Sequence, residues 1–251
     1  MVEVPDPSVS RETPPVPDVA RGVFASRVDL AQRFAVLLAT DGVERGLIGP
    51  REAPRLWERH LVNCALLTDV VDDAADVCDI GSGAGLPGLV LAIRRPDLRV
   101  TLLEPLLRRT TFLSEVVETL GLDNVHVVRG RAEALHGHQD FSVVTSRAVA
   151  PLGRLLDWSM PLVRQGGHLV AMKGASAAEE VTAAAERLTA HGAGSVEVLT
   201  LGGSEVFPPT TVVRVESTRS FALGWHADAT TRQQTQRPAA RRGGRGKGRR
   251  A

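Results

Sequence analysis

A glycine-rich segment at residues 79–88 constrains this chain more than any other part of its sequence. It follows a short apolar run at residues 75–80 that predicts a β-strand, and it leads into a helical pattern at residues 87–94. Glycines at a strand-to-helix turn let backbone N–H groups approach a ligand closely. The segment therefore predicts a nucleotide-like ligand, bound where a strand ends in an α/β fold.

The glycine spacing fits two kinds of cofactor loop. Gly83, Gly85 and Gly88 spell G-x-G-x-x-G, the dinucleotide fingerprint. Asp79 and Gly81, together with the first two of these glycines, spell D-x-G-x-G-x-G, which resembles the loop of class I S-adenosylmethionine-dependent methyltransferases. The predicted strand ends earlier than a dinucleotide loop requires, and the chain has no Tyr for the Ser–Tyr–Lys chemistry of short-chain dehydrogenases. Methyl-donor binding is favoured, and an NAD(P)-dependent oxidoreductase is the alternative.

Strand and helix patterns alternate from residue 73 onward, which predicts a doubly wound, mostly parallel α/β sheet. The last two predicted strands, at residues 195–201 and 211–216, have no helix between them and predict an antiparallel hairpin, as in a class I methyltransferase sheet. Four parts are expected: a disordered N-terminus (1–25), a small helical element (26–72), the methyltransferase domain (73–217) and a disordered Arg-rich tail (218–251). Predicted helices near residues 151–164 and 177–188 separate the later strands.

Charge is distributed unevenly along the chain. Residues 229–251 hold eight Arg and Lys and no acidic residue, although the whole chain has 30 basic and 29 acidic residues. An acidic body with a basic tail predicts a polyanionic partner, and the tail is interpreted equally well as an arm along phosphates or as a dispensable extension. No apolar run reaches the roughly 18 residues of a membrane span, and two cysteines cannot form a disulfide scaffold. We expect a cytoplasmic protein without membrane contact, and a monomer.

Motifs between residues 56 and 174 identify a closer resemblance. Together they resemble the ribosomal RNA small subunit methyltransferase G family, also called glucose-inhibited division protein B. The chain departs from the family pattern at Gly46-Leu47-Ile48, at Arg108 and in its long basic tail. The motifs that carry the resemblance are Arg59-His60-Leu61, the loop with its Gly85-Leu86-Pro87-Gly88 ending, Leu102-Leu103-Glu104, Arg109, Phe112-Leu113, Arg131-Ala132-Glu133, Ser146-Arg147-Ala148 and Met172-Lys173-Gly174.

The resemblance implies methylation of N7 of a guanine in the decoding-region loop of 16S ribosomal RNA, with S-adenosylmethionine as the methyl donor. Guanine N7 has an available lone pair, so no general base is required and alignment matters most. In either cofactor class Glu104, at the end of the second strand, would accept the ribose hydroxyls. The expected cofactor-binding residues are Asp79, Gly81, Gly83, Leu86, Glu104, Ala132, Glu133 and Arg147.

Three further assignments concern the substrate side. Arg147 is a candidate substrate-positioning residue, and Arg59 and Lys173 are the candidate RNA contacts. His60 lies on an apolar helix face, which indicates a packed, hydrogen-bonded histidine. No metal site is expected, because His136 and His138 have no further ligands nearby in the sequence. A third hypothesis is a nucleic-acid-binding protein whose glycine loop is inactive.

Overall fold

One β-sheet forms the centre of the computed structural model, which describes residues 15–203 and 208–219. Its strands are Asp76–Ile80 (β1), Arg99–Glu104 (β2), Val125–Arg129 (β3), Phe141–Arg147 (β4), Val163–Lys173 (β5), Ala193–Leu201 (β6) and Thr210–Ser217 (β7). They lie in the order β3-β2-β1-β4-β5-β7-β6. The first five are parallel, and β7 is antiparallel to both of its neighbours. The predicted α/β sheet and its terminal antiparallel hairpin are confirmed.

Helices cover the sheet and connect its parallel strands. The α-helices are Asp18–Phe24 (α1), Val28–Leu37 (α2), Val62–Ala65 (α3), Gly88–Arg94 (α4), Leu107–Leu120 (α5), Leu152–Ser159 (α6), Ala177–Ala183 (α7) and Ala185–Ala190 (α8). Turns of π-helix at Leu38–Gly42 and Leu56–Leu61 extend α2 and precede α3. Gly121 ends α5 in the left-handed conformation, which is the predicted C-cap. Among the described residues no helix is both long and apolar enough to cross a bilayer.

The strand register brings the predicted site residues to one edge of the sheet. Ile80 at the end of β1 lies beside Leu103 of β2, and Asp79 lies beside Thr145 of β4. In parallel strands the carboxyl ends share an edge. The loop after β1, Glu104 at the end of β2 and Arg147 at the end of β4 therefore meet there.

The N-terminal helical element shares its core with the sheet. Phe34 and Leu38 are fully buried in one continuous cluster that also contains Val77 of β1, Val143 of β4 and Val170 of β5. The centroids of the Phe24 and Trp57 rings lie 6.2 Å apart in an edge-on contact. Residues 26–72 and the sheet therefore pack as one unit, although the sequence indicated separate segments.

Three predicted boundaries need correction. Helix α1 lies within the predicted disordered residues 1–25, because Ala20 and Phe24 are buried against the core. The helix predicted over residues 151–164 ends at Ser159, and β5 already begins at Val163. The predicted tail of residues 218–251 starts too early, since the Thr218 backbone N–H donates to the Gly192 carbonyl. Residues 1–14 and 220–251, with the basic arm, lie outside the described part.

Candidate functional site

The glycine loop turns sharply and stays tied to the neighbouring strand. The Gly81 N–H donates to the Leu103 carbonyl at 2.8 Å, and the Gly85 N–H donates to the Ser82 carbonyl at 2.7 Å. Gly81, Gly83 and Gly85 all have positive φ angles, of 67°, 57° and 90°, a conformation that L side chains rarely adopt. A Cβ on Gly81 would lie 3.1 Å from Cγ2 of Val149. Glycine is therefore required both by the backbone conformation and by the close approach.

The fully buried Asp79 side chain supports this loop from the protein core. Its Oδ2 accepts a hydrogen bond from the Gly88 N–H at 2.9 Å. Its Oδ1 has no hydrogen-bond partner among the described residues. Burial raises the pKa of Asp79 to about 7. Asp79 lines none of the cavities described below, so it supports the loop from the core side, and a direct cofactor contact stays a prediction.

Asp79→Asn should flatten the pH dependence of folding stability between about pH 4 and pH 7. The folded protein keeps the Asp79 proton up to about pH 7, whereas the unfolded chain releases it near pH 4. The unfolded state then binds fewer protons in this window, so wild-type stability falls as the pH rises through it. Urea unfolding of both proteins at several pH values measures the difference. An equal decline in the two proteins would contradict the prediction.

Glu104 is a buried carboxylate at the mouth of the site. Only 1% of its surface is exposed, yet it lines a cavity. Its Oε2 accepts from the Gly83 N–H at 3.0 Å, and its Oε1 accepts from the Leu106 N–H at 3.1 Å. Arg109 Nη1 lies 3.5 Å from Oε2. Buried carboxylates are retained where such partners hold them, and these three donors leave about one of the four lone-pair sites of Glu104, on Oε1, without a donor among the described residues.

Two cavities flank the loop. The larger, which we name the loop cavity, has a volume of about 580 Å³, and the smaller, the apolar cavity, about 240 Å³. Gly81 and Val149 line both. The loop cavity is bounded by Gly83, Leu86, Glu104 and Arg147, and the apolar cavity by Ile80, Leu103, Ala132, Glu133 and Trp158. The structure thus brings seven of the eight predicted cofactor residues to two adjoining cavities.

These linings fit an adenosine-like group joined to a charged chain. The apolar cavity has the hydrophobic walls that a flat base requires, with the exposed Glu133 carboxylate at its rim. Between the cavities the glycine loop presents its backbone, and the acceptor-only Glu104 carboxylate suits a hydroxyl donor. Trp158 and Val149 were missed by the sequence analysis, because nothing in their local pattern distinguishes a cavity wall from a core position.

A third cavity, the wide cavity, opens on the other side of residues 146–149 and has a volume of about 870 Å³. Arg59, Arg147 and Lys173 line it, so it is rich in cations. Arg59 is half-exposed, and its Nη1 lies 3.0 Å from Glu52 Oε1. Lys173 is buried, and its Nζ donates to Glu180 and to the Ala150 carbonyl, both at 2.8 Å. Of the two predicted RNA contacts, Arg59 is therefore the more accessible.

Arg147 lies between the loop cavity and the wide cavity and lines both. Its Nη2 lies 2.6 Å from His60 Nδ1 and donates to the Arg59 carbonyl at 3.3 Å. His60 Nε2 in turn lies 2.9 Å from Oε2 of Glu52. His60 is packed and hydrogen-bonded, as predicted, but its link to Arg147 was not foreseen.

The two cysteines do not provide a nucleophile. Both are buried, and burial raises the pKa of the Cys64 thiol and of the Cys78 thiol. A reactive cysteine needs the opposite environment, because the thiolate is the attacking form. Among the described residues no three His, Cys, Asp or Glu side chains cluster as a metal site.

Comparisons with known proteins identify the family and agree with the fold. The family model described as GidB, rRNA small subunit methyltransferase G, matches residues 27–206. The ribosomal RNA small subunit methyltransferase G of a Nocardioides species is 65% identical over 218 residues, covering 86% of this chain and 87% of that protein. The Streptomyces coelicolor protein of the same name is 59% identical over 210 residues, covering 83% and 88%. The crystal structure of a predicted O-methyltransferase from Agrobacterium tumefaciens has a TM-score of 0.50 at 19% identity, covering 65% of this chain and 84% of that one, which bears on the fold alone.

Proposed function

Since this chain belongs to the rRNA small subunit methyltransferase G family, we propose that it methylates N7 of a guanine in the decoding-region loop of 16S ribosomal RNA. It is a methyltransferase of the class I fold and uses S-adenosylmethionine. One observation carries the proposal for guanine N7. Arg147 lies between the loop cavity, which together with the apolar cavity suits the cofactor, and the cationic wide cavity.

The cofactor residues divide by the part of the methyl donor that they would hold. Glu104 accepts the ribose hydroxyls, and Ala132 and Glu133 border the adenine in the apolar cavity. Gly81, Gly83 and Leu86 lie along the methionine portion in the loop cavity, with Asp79 supporting the loop. Bound S-adenosylmethionine supplies an electrophilic methyl group on a sulfonium.

The carboxylates of the site suit a reaction without a general base. Among the described residues that line the loop and wide cavities, the carboxylates are Glu104 and Glu180, and both are already engaged. Glu104 is held by backbone N–H groups, and Glu180 by Lys173 and the Leu152 N–H. Guanine N7 would bond to the methyl carbon with its own lone pair, and the carbon–sulfur electrons would stay on sulfur. The positive charge would pass from sulfur to the base, so alignment is the main requirement.

Arg147 and Arg59 are proposed to position the RNA. Guanine presents O6 and N7 as acceptors on the same edge, so a donor on O6 fixes the direction in which N7 points. Arg147 provides that donor at the boundary of the two cavities, and leaves N7 free for the methyl group. Arg59 contacts phosphate, and Lys173 stabilises the floor of the wide cavity through Glu180. We further propose that the protein acts as a cytoplasmic monomer.

The purified wild-type protein should methylate small subunits or 16S RNA at one guanine N7. Borohydride reduction followed by aniline cleaves RNA at 7-methylguanine, and primer extension then locates the break. Naked 16S RNA, an assembly intermediate and the complete small subunit are compared as substrates. Methylation at a different atom, or RNA binding without transfer, would contradict the proposal. Stabilisation by NAD but not by S-adenosylmethionine in a thermal-shift experiment would favour the oxidoreductase alternative.

A further inference from the structure

We propose that His60, oriented by Glu52, is a positioning residue that holds the Arg147 guanidinium at the boundary between the loop cavity and the wide cavity. The proposal rests on the proposed function, in which Arg147 directs the guanine. It concerns Glu52 and His60 of the N-terminal helical element and Arg147 at the end of β4, which the fold brings into one hydrogen-bonded row.

The hydrogen bonds in this row have a definite direction. A guanidinium has only donors, so His60 Nδ1 must accept the bond from Arg147 Nη2. The single ring hydrogen of neutral His60 then lies on Nε2 and is donated to Glu52 Oε2. Glu52 accepts this bond with Oε2, and its other oxygen, Oε1, contacts Arg59 Nη1. Arg147 therefore selects one tautomer of His60, and Glu52 stabilises the same one.

The row immobilises Arg147 while leaving donors for a substrate. Both Nη2 hydrogens are used by His60 and by the Arg59 carbonyl, and Nη1 contacts Cys64 Sγ at 3.4 Å. Within the described residues this leaves one Nη1 hydrogen and the Nε hydrogen without a protein acceptor. A long side chain loses much rotamer freedom when it is fixed, and here the protein fixes it before the substrate binds. The geometry is that of a pre-organised donor.

Protonation of His60 would break the row. A second ring hydrogen would occupy Nδ1 and face the guanidinium, donor against donor and cation against cation. Among the described residues, the charged groups that line a cavity together with His60 are Glu52, Arg55, Glu58, Arg59 and Arg147, and in the loop cavity also Glu104 and Arg109. Burial and the charge of Arg147 lower the pKa of His60, against the raising effect of Glu52. At neutral pH the ring is therefore neutral and the row is intact.

Two substitutions of His60 separate positioning from mere packing. In His60→Asn the side-chain Oδ1 lies near the former position of Nδ1, so the variant keeps the acceptor for Arg147. In His60→Gln the amide reaches the former position of Nε2, so the variant keeps the bond to Glu52 and loses the one to Arg147. With small subunits as substrate, His60→Gln should lower kcat by about tenfold to a hundredfold, and His60→Asn should stay within about threefold of wild type. The KM for S-adenosylmethionine should change little in both variants.

The pH profile and the NMR spectra test the positioning role, because a His60 that served only for packing would affect neither of them. Wild-type activity should fall on the acid side as His60 protonates, and this acid limb should be absent in His60→Asn. In the free wild-type protein, long-range ¹H–¹⁵N spectra should show His60 as the Nε2–H tautomer. His191 pairs with Asp157 at 2.9 Å away from the site, so His191→Asn is the matched control and should leave both readouts unchanged.

The outcomes are distinguishable. Equal loss in His60→Asn and His60→Gln, or full activity in His60→Gln with an unchanged acid limb, overturns the positioning role. An Nδ1–H tautomer in the free protein also overturns it, whatever the activity. Failure of the wild-type protein to methylate 16S RNA refutes the proposed function instead, and leaves the tautomer result standing as evidence on the row.

Discussion

Replacing Glu104 with Gln should weaken the binding of S-adenosylmethionine by about tenfold or more, because hydrogen bonds to a charged acceptor contribute about 1.5–3 kcal/mol each. The native carboxylate accepts from the N–H groups of Gly83 and Leu106 and from Arg109 Nη1, and its remaining lone pair on Oε1 is available to a ribose hydroxyl. A Gln amide would direct N–H hydrogens against at least one of these donors. The variant therefore loses cofactor contacts and also disturbs the loop that frames the cofactor.

Isothermal titration calorimetry of both proteins with S-adenosylmethionine measures this loss. Glu186→Gln is the control, since Glu186 is an exposed carboxylate on α8. Circular dichroism and thermal unfolding show whether Glu104→Gln remains folded. If the folded variant bound the methyl donor as tightly as wild type, the assignment of Glu104 to the ribose would be wrong.

Gly85→Ala should lower the free energy of unfolding by about 2–5 kcal/mol. The left-handed backbone conformation contributes about 1–2 kcal/mol of this loss, and overpacking by the added Cβ contributes about 1–3 kcal/mol. The φ of Gly85 is +90°, and an added Cβ would lie 2.8 Å from Cγ of Leu89 and 3.2 Å from Cδ2 of Leu113. Both leucines are fully buried and cannot swing aside. Such a loss is a large share of the 5–15 kcal/mol that stabilises a typical domain.

Gly46→Ala isolates the backbone part of this effect. Gly46 also has a positive φ, of +63°, but an added Cβ there would meet nothing within 4 Å. Urea unfolding of the two variants should therefore show a smaller loss for Gly46→Ala, and the difference between them measures the packing at the loop. Equal losses would show that Gly85 is required by its backbone conformation alone.

Periodic sequence patterns predicted most of the sheet, but they did not predict a short helix and a π-helical turn. The apolar runs of β1 and β2 and the Gly121 cap of α5 are strong short-range signals. Helix α1 was missed because it is short, follows a proline-rich segment and has no side-chain cap on Pro17. The π-helical turn at Leu56–Leu61 was also not predicted, because such turns are rare and a single turn is too short to show a period of its own.

The residues of the candidate site also fall into those that the local sequence predicts and those that it does not. Gly81 and Glu104 could be predicted because each follows a recognisable strand, and strand ends converge in this fold. The row of Glu52, His60 and Arg147 could not, because it depends on how the helical element is seated on the sheet. A local window shows His60 only as one polar residue on an apolar face. Its chemical setting is created by Arg147, which lies 87 positions further along the chain.

The position of β7 has a consequence for how the chain is synthesised. Of the described strands it is the last to leave the ribosome, yet it lies inside the sheet, between β5 and β6. Until residue 217 has emerged, the nascent chain exposes the unpaired edges of both neighbours, and such edges invite pairing with other chains. A chain that stops before Thr210 would therefore leave the facing edges of β5 and β6 unpaired and open to pairing with other chains.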